Sequence, residues 1–177
     1  MCVMDTDTIT TVPSLADLPA RPVLAVDGRG APEDPPFAAA VRALFAVRAA
    51  LGARETVALE GSYAQDGDPL RFDLDAPAGW HWTLLVPAPP LRTADAVATA
   101  AARFGAPVEL RDQPARRVAR LLHHGPYDDE GPSLTALYGF VAEQGLHPDG
   151  PHTETYLTDP GRTAPSDNRT ILHVPVR

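Results

Sequence analysis

Part of this chain occurs twice, and each copy is too small to close by itself, which limits the fold more than any other feature. Residues 21–52, RPVLAVDGRGAPEDPPFAAAVRALFAVRAALG, and residues 116–146, RRVARLLHHGPYDDEGPSLTALYGFVAEQGL, follow the same course. Each passes from a basic start through a β-prone apolar stretch and an acidic, Gly-containing loop into a helix. The helices align at an offset of 93, which sets Leu44 on Leu137, Phe45 on Tyr138, Val47 on Phe140 and Gly52 on Gly145. Phe37, Val41, Leu44, Phe45 and the stem of Arg48 keep helical spacing in the first copy, as Leu134, Leu137, Tyr138 and Val141 do in the second. The acids Glu33-Asp34 and Asp128-Asp129-Glu130 stand where a helix dipole favours negative charge, and Gly52 and Gly145 stand where left-handed caps belong.

Two strand-like runs follow each helix: TVALEGSY (56–63) and WHWTLLV (80–86), then HTETYLT (152–158) and RTILHVPV (169–176). Each copy is therefore strand–helix–strand–strand. The segment TADAVATAAARF, 93–104, predicts a joining helix with Thr93 as N-cap. Three strands and one helix leave an open edge and a bare sheet face. The expected class is thus α+β: duplicated modules forming an antiparallel sheet, helices on one face and a ligand cleft on the other. The expected boundaries are a flexible tail over 1–14 and one domain over 15–177. Within it lie a first module at about 18–90, a linking helix at about 92–105 and a second module at about 114–177.

The 177 residues suffice for a sizeable core, and 44% hydrophobic content is ordinary for a globular chain. A net charge of −8 argues against nucleic acid, which needs clustered Lys and Arg. Twenty prolines fall mostly at turns, as in APEDPP, DAPAG, VPAPPL and HHGPY. The single cysteine, Cys2, cannot form an internal disulfide, and no apolar run spans a membrane or resembles a secretion signal. A cytoplasmic location is the expectation. Six histidines form no ligand pattern, no nucleophile elbow is present, and DGRG is not a dinucleotide fingerprint. No cofactor, metal or membrane is expected, and no protein partner is readable.

Strand alternation puts His152, Glu154, Tyr156 and Thr158 on one face, and Thr153, Thr155 and Leu157 on the other. At an offset of 94, Glu60 falls on Glu154. If the Val57/Leu59 side packs under its helix and the Thr153/Thr155 side meets the core, both acids reach the open face. That face is either wet or lines a pocket. The second reading gains from the nearby aromatics Trp80, Trp82, Tyr63, Tyr127 and Tyr156, since a carboxylate among rings suits flat, cationic molecules. The turn after the strand, Thr158-Asp159-Pro160-Gly161, is expected to fix its geometry, with Arg162 pairing with Asp167.

The blocks LAVDGRGAPEDPPFAAAVRALFAV, ALEGSY, WHWTLL and ETYLTDPGRTAP resemble those of the GyrI-like small-molecule-binding superfamily, above all its stand-alone members, from about residue 18 onward. That superfamily includes the effector-binding domains of AraC-type and MerR-type activators. ALEGSY lacks the proline usual before Leu-Glu-Gly and an aromatic residue soon after it, and WHWTLLVPAPP lacks the usual Met. The resemblance implies a cleft for aromatic, drug-like compounds, with the cation-facing glutamate role carried to Glu154 and also to Glu60. Ligand contacts are then expected from Glu60, Tyr63, Trp80, Trp82, Tyr127, Glu154 and Tyr156. It also implies an alternative, since some stand-alone members are cyclopropanoid hydrolases. Glu154 would then deprotonate water, and Tyr156, Tyr127 or a neutral Glu60 would hydrogen-bond the developing oxyanion.

Overall fold

The computed structural model describes residues 9–65, 79–90 and 92–177. Cys2 and the first eight positions, with the turn at 75–78, lie outside the described residues. The chain divides into two compact units. The first is Pro19–Ala115; the second joins the residues up to Leu18 with Arg116–Arg177.

In the first unit, β2 (Arg21–Arg29), α1 (Pro35–Ala50), β3 (Leu59–Gln65) and β4 (Trp80–Pro87) reproduce the expected order. The linking helix α2 (Ala94–Phe104) and then β5 (Glu109–Gln113) follow. The antiparallel strands run β3-β4-β2-β5. Leu24, Val26, Trp82, Leu84 and Val86 share one sheet face and pack against Ala43, Leu44 and Val47 of α1 and Val97 and Ala101 of α2. Thr93 caps α2 as expected, its Oγ1 accepting from Ala96 N at 3.1 Å. Arg48 is buried and bonded throughout, donating to the carbonyls of Pro87 and Glu55 and to the Glu55 carboxylate.

The second unit repeats the plan with β6 (Arg116–His124), α3 (Gly131–Glu143), β7 (Thr153–Tyr156) and β8 (Arg169–Pro175), while β1 (Ser14–Leu18) pairs with β6. The order is β1-β6-β8-β7, all antiparallel. Ala119, Leu121, Leu172 and Val174 form the face under Leu137 and Val141 of α3. The chain joins this unit ahead of β1: Ile9 is buried, and Leu122 N donates to Thr10 O at 2.8 Å. Gly52 (φ 86°) and Gly145 (φ 68°) end their helices in the left-handed region, which a side chain disfavours.

The fold is α+β, with duplicated strand–helix–strand–strand modules and antiparallel pairing as read from the sequence. Strands β1 and β5 were not expected; SLADL and ELRDQ are short and mostly polar, as suits outer strands with one bonded edge. No helix among the described residues is long and apolar enough to cross a membrane.

Candidate functional site

Strand β7 is four residues, Thr-Glu-Thr-Tyr, β-branched at alternate positions and therefore suited to a pleated, packed surface. The turn that follows holds it as expected: Gly161 N donates to Asp159 Oδ1 at 2.9 Å, and Arg169 N to Thr158 Oγ1 at 3.0 Å. Arg162 does not reach Asp167. Its Nε lies 3.5 Å from Asp159 Oδ2, three residues back within the same turn and exposed.

Register decides where Glu154 points. Glu154 lies opposite Leu172 and Tyr156 opposite Thr170, while Leu172 faces Leu121 and Thr170 faces His123 on β6. Leu121 and Leu172 are core residues beneath α3, so Glu154 and Tyr156 stand on the helix-bearing face. Thr153 and Thr155 are buried as expected, on the face of Ile171 and Leu122. The face under α3 is that of Glu154, so the expectation that Glu154 opens on the side away from the helix is overturned.

Four polar side chains converge there. The Tyr156 hydroxyl donates to Glu154 Oε2 at 2.7 Å, and His152 Nε2 to Glu154 Oε1 at 3.3 Å. The fourth is Glu130, which immediately precedes α3. Its side chain does not cap the helix but is buried, 4% exposed, beside Glu154 and Thr170. Burial pushes its carboxyl up to about 10, and the Glu154 charge and hydrogen bond add to the rise. Thr170 opposes the shift, although its Oγ1 stays outside hydrogen-bond geometry. The acid therefore carries its proton at neutral pH. Tyr127 meets Tyr156 edge-on at 5.5 Å, and burial, then Glu130 and Glu154, raise its phenol. His123 ties this loop down, with Nε2 donating to Pro126 O at 3.1 Å and Nδ1 2.9 Å from Ser133 Oγ.

The first unit has the same frame and different contents. Tyr63 lies opposite Trp82 as Tyr156 lies opposite Thr170, and Gly61 lies opposite Leu84 as Glu154 lies opposite Leu172. The structural counterpart of Glu154 is thus Gly61, at the helical offset of 93; the offset of 94 was one residue out. With period two, that single step turns Glu60 to the opposite face. There it is 2% exposed and paired with Arg21, whose Nη2 reaches Oε2 at 2.5 Å. Within its own unit Glu60 is therefore on the sheet face away from the helices, buried and paired with Arg21.

The other first-unit candidates are core. Tyr63, Trp80 and Trp82 are 3%, 9% and 3% exposed. Trp82 packs edge-on against Phe37 at 5.2 Å, and Tyr63 against Trp80 at 6.2 Å. A Cβ on Gly28 would fall 2.0 Å from the Trp82 ring, and one on Gly61 2.7 Å from the Tyr63 hydroxyl. Rings thus fill this frame, where the second unit sets His123, Glu154 and Thr170. Phe37 and Glu130 also match at 93, so the duplication held the signal for Glu130: an acid where its partner copy has a phenylalanine. A groove of about 510 Å³ lies elsewhere in the first unit, between α1 and the turn after α2. Of the expected site residues, only Trp82 lines it.

The chain thus consists of duplicated strand–helix–strand–strand units, with a buried acid cluster on the helix-bearing face of the second. The GyrI-like small molecule binding domain matches residues 11–177, and the chain belongs to that family. An uncharacterized conserved protein from Listeria innocua superposes with a TM-score of 0.84 at 26% identity, over 96% of this chain and 94% of that one. A hydrolase from the same organism gives 0.82 at 24% over the same shares. The EcmrR C-terminal domain gives 0.72 at 14%, over 93% and 96%. No match was found among curated protein sequences.

Proposed function

We propose that this protein binds aromatic, hydrophobic small molecules, cationic ones included, at the Glu154 cluster of the second unit. The observation that carries the reading is an acid whose side chain keeps 12% exposure on a face otherwise given to core, with tyrosine rings beside it. A carboxylate flanked by ring faces attracts a delocalised cation by charge and by the ring quadrupole, and excludes strongly hydrated ions. The family, a small molecule binding domain, supports ligand binding in general. Titrating tetraphenylphosphonium into wild type and Glu154→Gln tests it: binding that weakens roughly tenfold in the variant supports the site, and equal affinities remove Glu154 from it.

Hydrolysis of a cyclopropyl-dienone is a second reading, favoured by one observation. A neutral acid, Glu130, stands against an acceptor, Glu154, and unlike carboxyls divide into acid and base roles. In that step water forms a C–O bond to the ring methylene and the strained C–C bond breaks. Its electron pair passes into the dienone to leave a phenolate, Glu154 takes the proton of the water, and return of that proton through solvent gives the phenol and resets Glu154. General-base help of this kind contributes roughly 10²–10⁴-fold. Tyr156 already donates to Glu154, so of the two tyrosines Tyr127 keeps the hydroxyl for the developing oxyanion. Phenol release from such a compound by wild type, lost in Glu154→Gln, supports hydrolysis; dye or cation binding without product leaves the binding reading alone.

A further inference from the structure

We propose that Glu130 and Glu154 form a carboxyl pair holding one proton, and that Glu130 presents that proton to the carbonyl oxygen of a neutral aromatic ketone or enone. The inference rests on the binding reading above and gives it a ligand class that a lone glutamate would not select.

Like charges at contact distance inside a protein do not both persist, so a buried pair settles with one acid neutral. Glu130 is the more deeply buried partner and the one that other donors leave alone. Tyr156 and His152 both spend their protons on Glu154. Glu130 Oε1 has no protein hydrogen-bond partner among the described residues, and neither has Thr170 Oγ1 beside it. The proton that burial keeps on Glu130 faces the Glu154 carboxylate. A carbonyl oxygen entering next to Oε1 accepts that proton's hydrogen bond and leaves Glu154 its two other donors. A cation gains nothing from Glu130, because a neutral acid adds no charge. The first unit supplies the contrast: Phe37 occupies the matching position and seals it against Trp82.

The test uses the whole chain with two probes, tetraphenylphosphonium and fluorenone isotope-labelled at its carbonyl. Variants are Glu130→Leu, Glu130→Gln and Tyr127→Phe, and thermal melting followed by circular dichroism shows that each remains folded. Wild type is expected to bind the ketone with its carbonyl stretch lowered. Glu130→Gln, whose amide still donates, keeps both binding and shift. Glu130→Leu loses roughly tenfold in ketone affinity, and the stretch returns to its value in apolar solvent. An unchanged stretch in Glu130→Leu, or one lost only in Tyr127→Phe, overturns the assignment. Cation binding without ketone binding also overturns it and leaves the binding reading standing. Failure of both probes on wild type removes that reading and this inference together.

Discussion

Tyr156 donates its hydroxyl to Glu154 at 2.7 Å, and the same two-residue step in the other copy lays the Tyr63 ring over Gly61. One backbone frame thus carries a charged hydrogen bond in the second unit and a ring filling its own gap in the first. The second unit carries polar groups on its helix-bearing face, and the first closes that face with aromatic rings. Stability and recognition are therefore expected to separate between the units.

Tyr156→Phe removes the hydroxyl and keeps the ring against Tyr127. Hydrogen bonds to charged groups contribute about 1.5–3 kcal/mol, and this one is partly buried. A loss near the lower figure is expected from urea unfolding, with ligand affinity reduced because Glu154 loses the donor that aims it. A variant as stable as wild type would show that the bond has no structural weight.

Glu130 makes stability depend on pH with a definite sign. Unfolded, its carboxyl titrates near 4.5; folded, burial holds it up to about 10. Between these values the folded chain keeps a proton that the unfolded chain has released, so the contribution is full below the lower value and declines as pH rises. Glu154, Tyr127 and Thr170 are the groups that face it, and none reverses the sign. Glu130→Gln removes the decline. Unfolding free energies at about pH 5, 7 and 9 should therefore diverge steadily in favour of the variant. Parallel curves would contradict a buried, proton-loaded Glu130.

The repeat, its element order and the cap at Thr93 were legible because they rest on local chemistry: helical spacing, turn residues and a hydroxyl ahead of an Ala-rich run. The site was half legible. His152, Glu154 and Tyr156 do share a face, since alternation along one strand is a local property. Which face it is depends on pairing with Leu172 and Thr170, fourteen or more residues along the chain, and no local pattern fixes that. Glu130 was read as a dipole acid because it precedes a helix. Its burial comes from β7 and β8, which lie far off in sequence.

Gly28→Ala tests the claim that rings close the first unit. The added Cβ would fall 2.0 Å from the Trp82 ring, which is held by Phe37 at 5.2 Å and cannot swing aside cheaply. Overpacking of this kind costs about 1–3 kcal/mol, and thermal melting should show it. A melting temperature equal to that of wild type would mean that the ring moves freely.

Arg21→Met leaves Glu60 buried without its partner. Breaking a buried pair costs about 3–5 kcal/mol; Arg21 is 26% exposed, so the lower end is expected. Ligand affinity should not change, since Glu60 lies on the opposite sheet face within its own unit. Loss of binding with stability intact would return Glu60 to the site.

The most direct measurement is a calorimetric titration of tetraphenylphosphonium into wild type, Glu154→Gln and Glu60→Gln. If the acid cluster of the second unit alone carries recognition, Glu154→Gln weakens binding roughly tenfold or more, while Glu60→Gln binds as wild type does. Equal binding by Glu154→Gln, or a loss confined to Glu60→Gln, would contradict it.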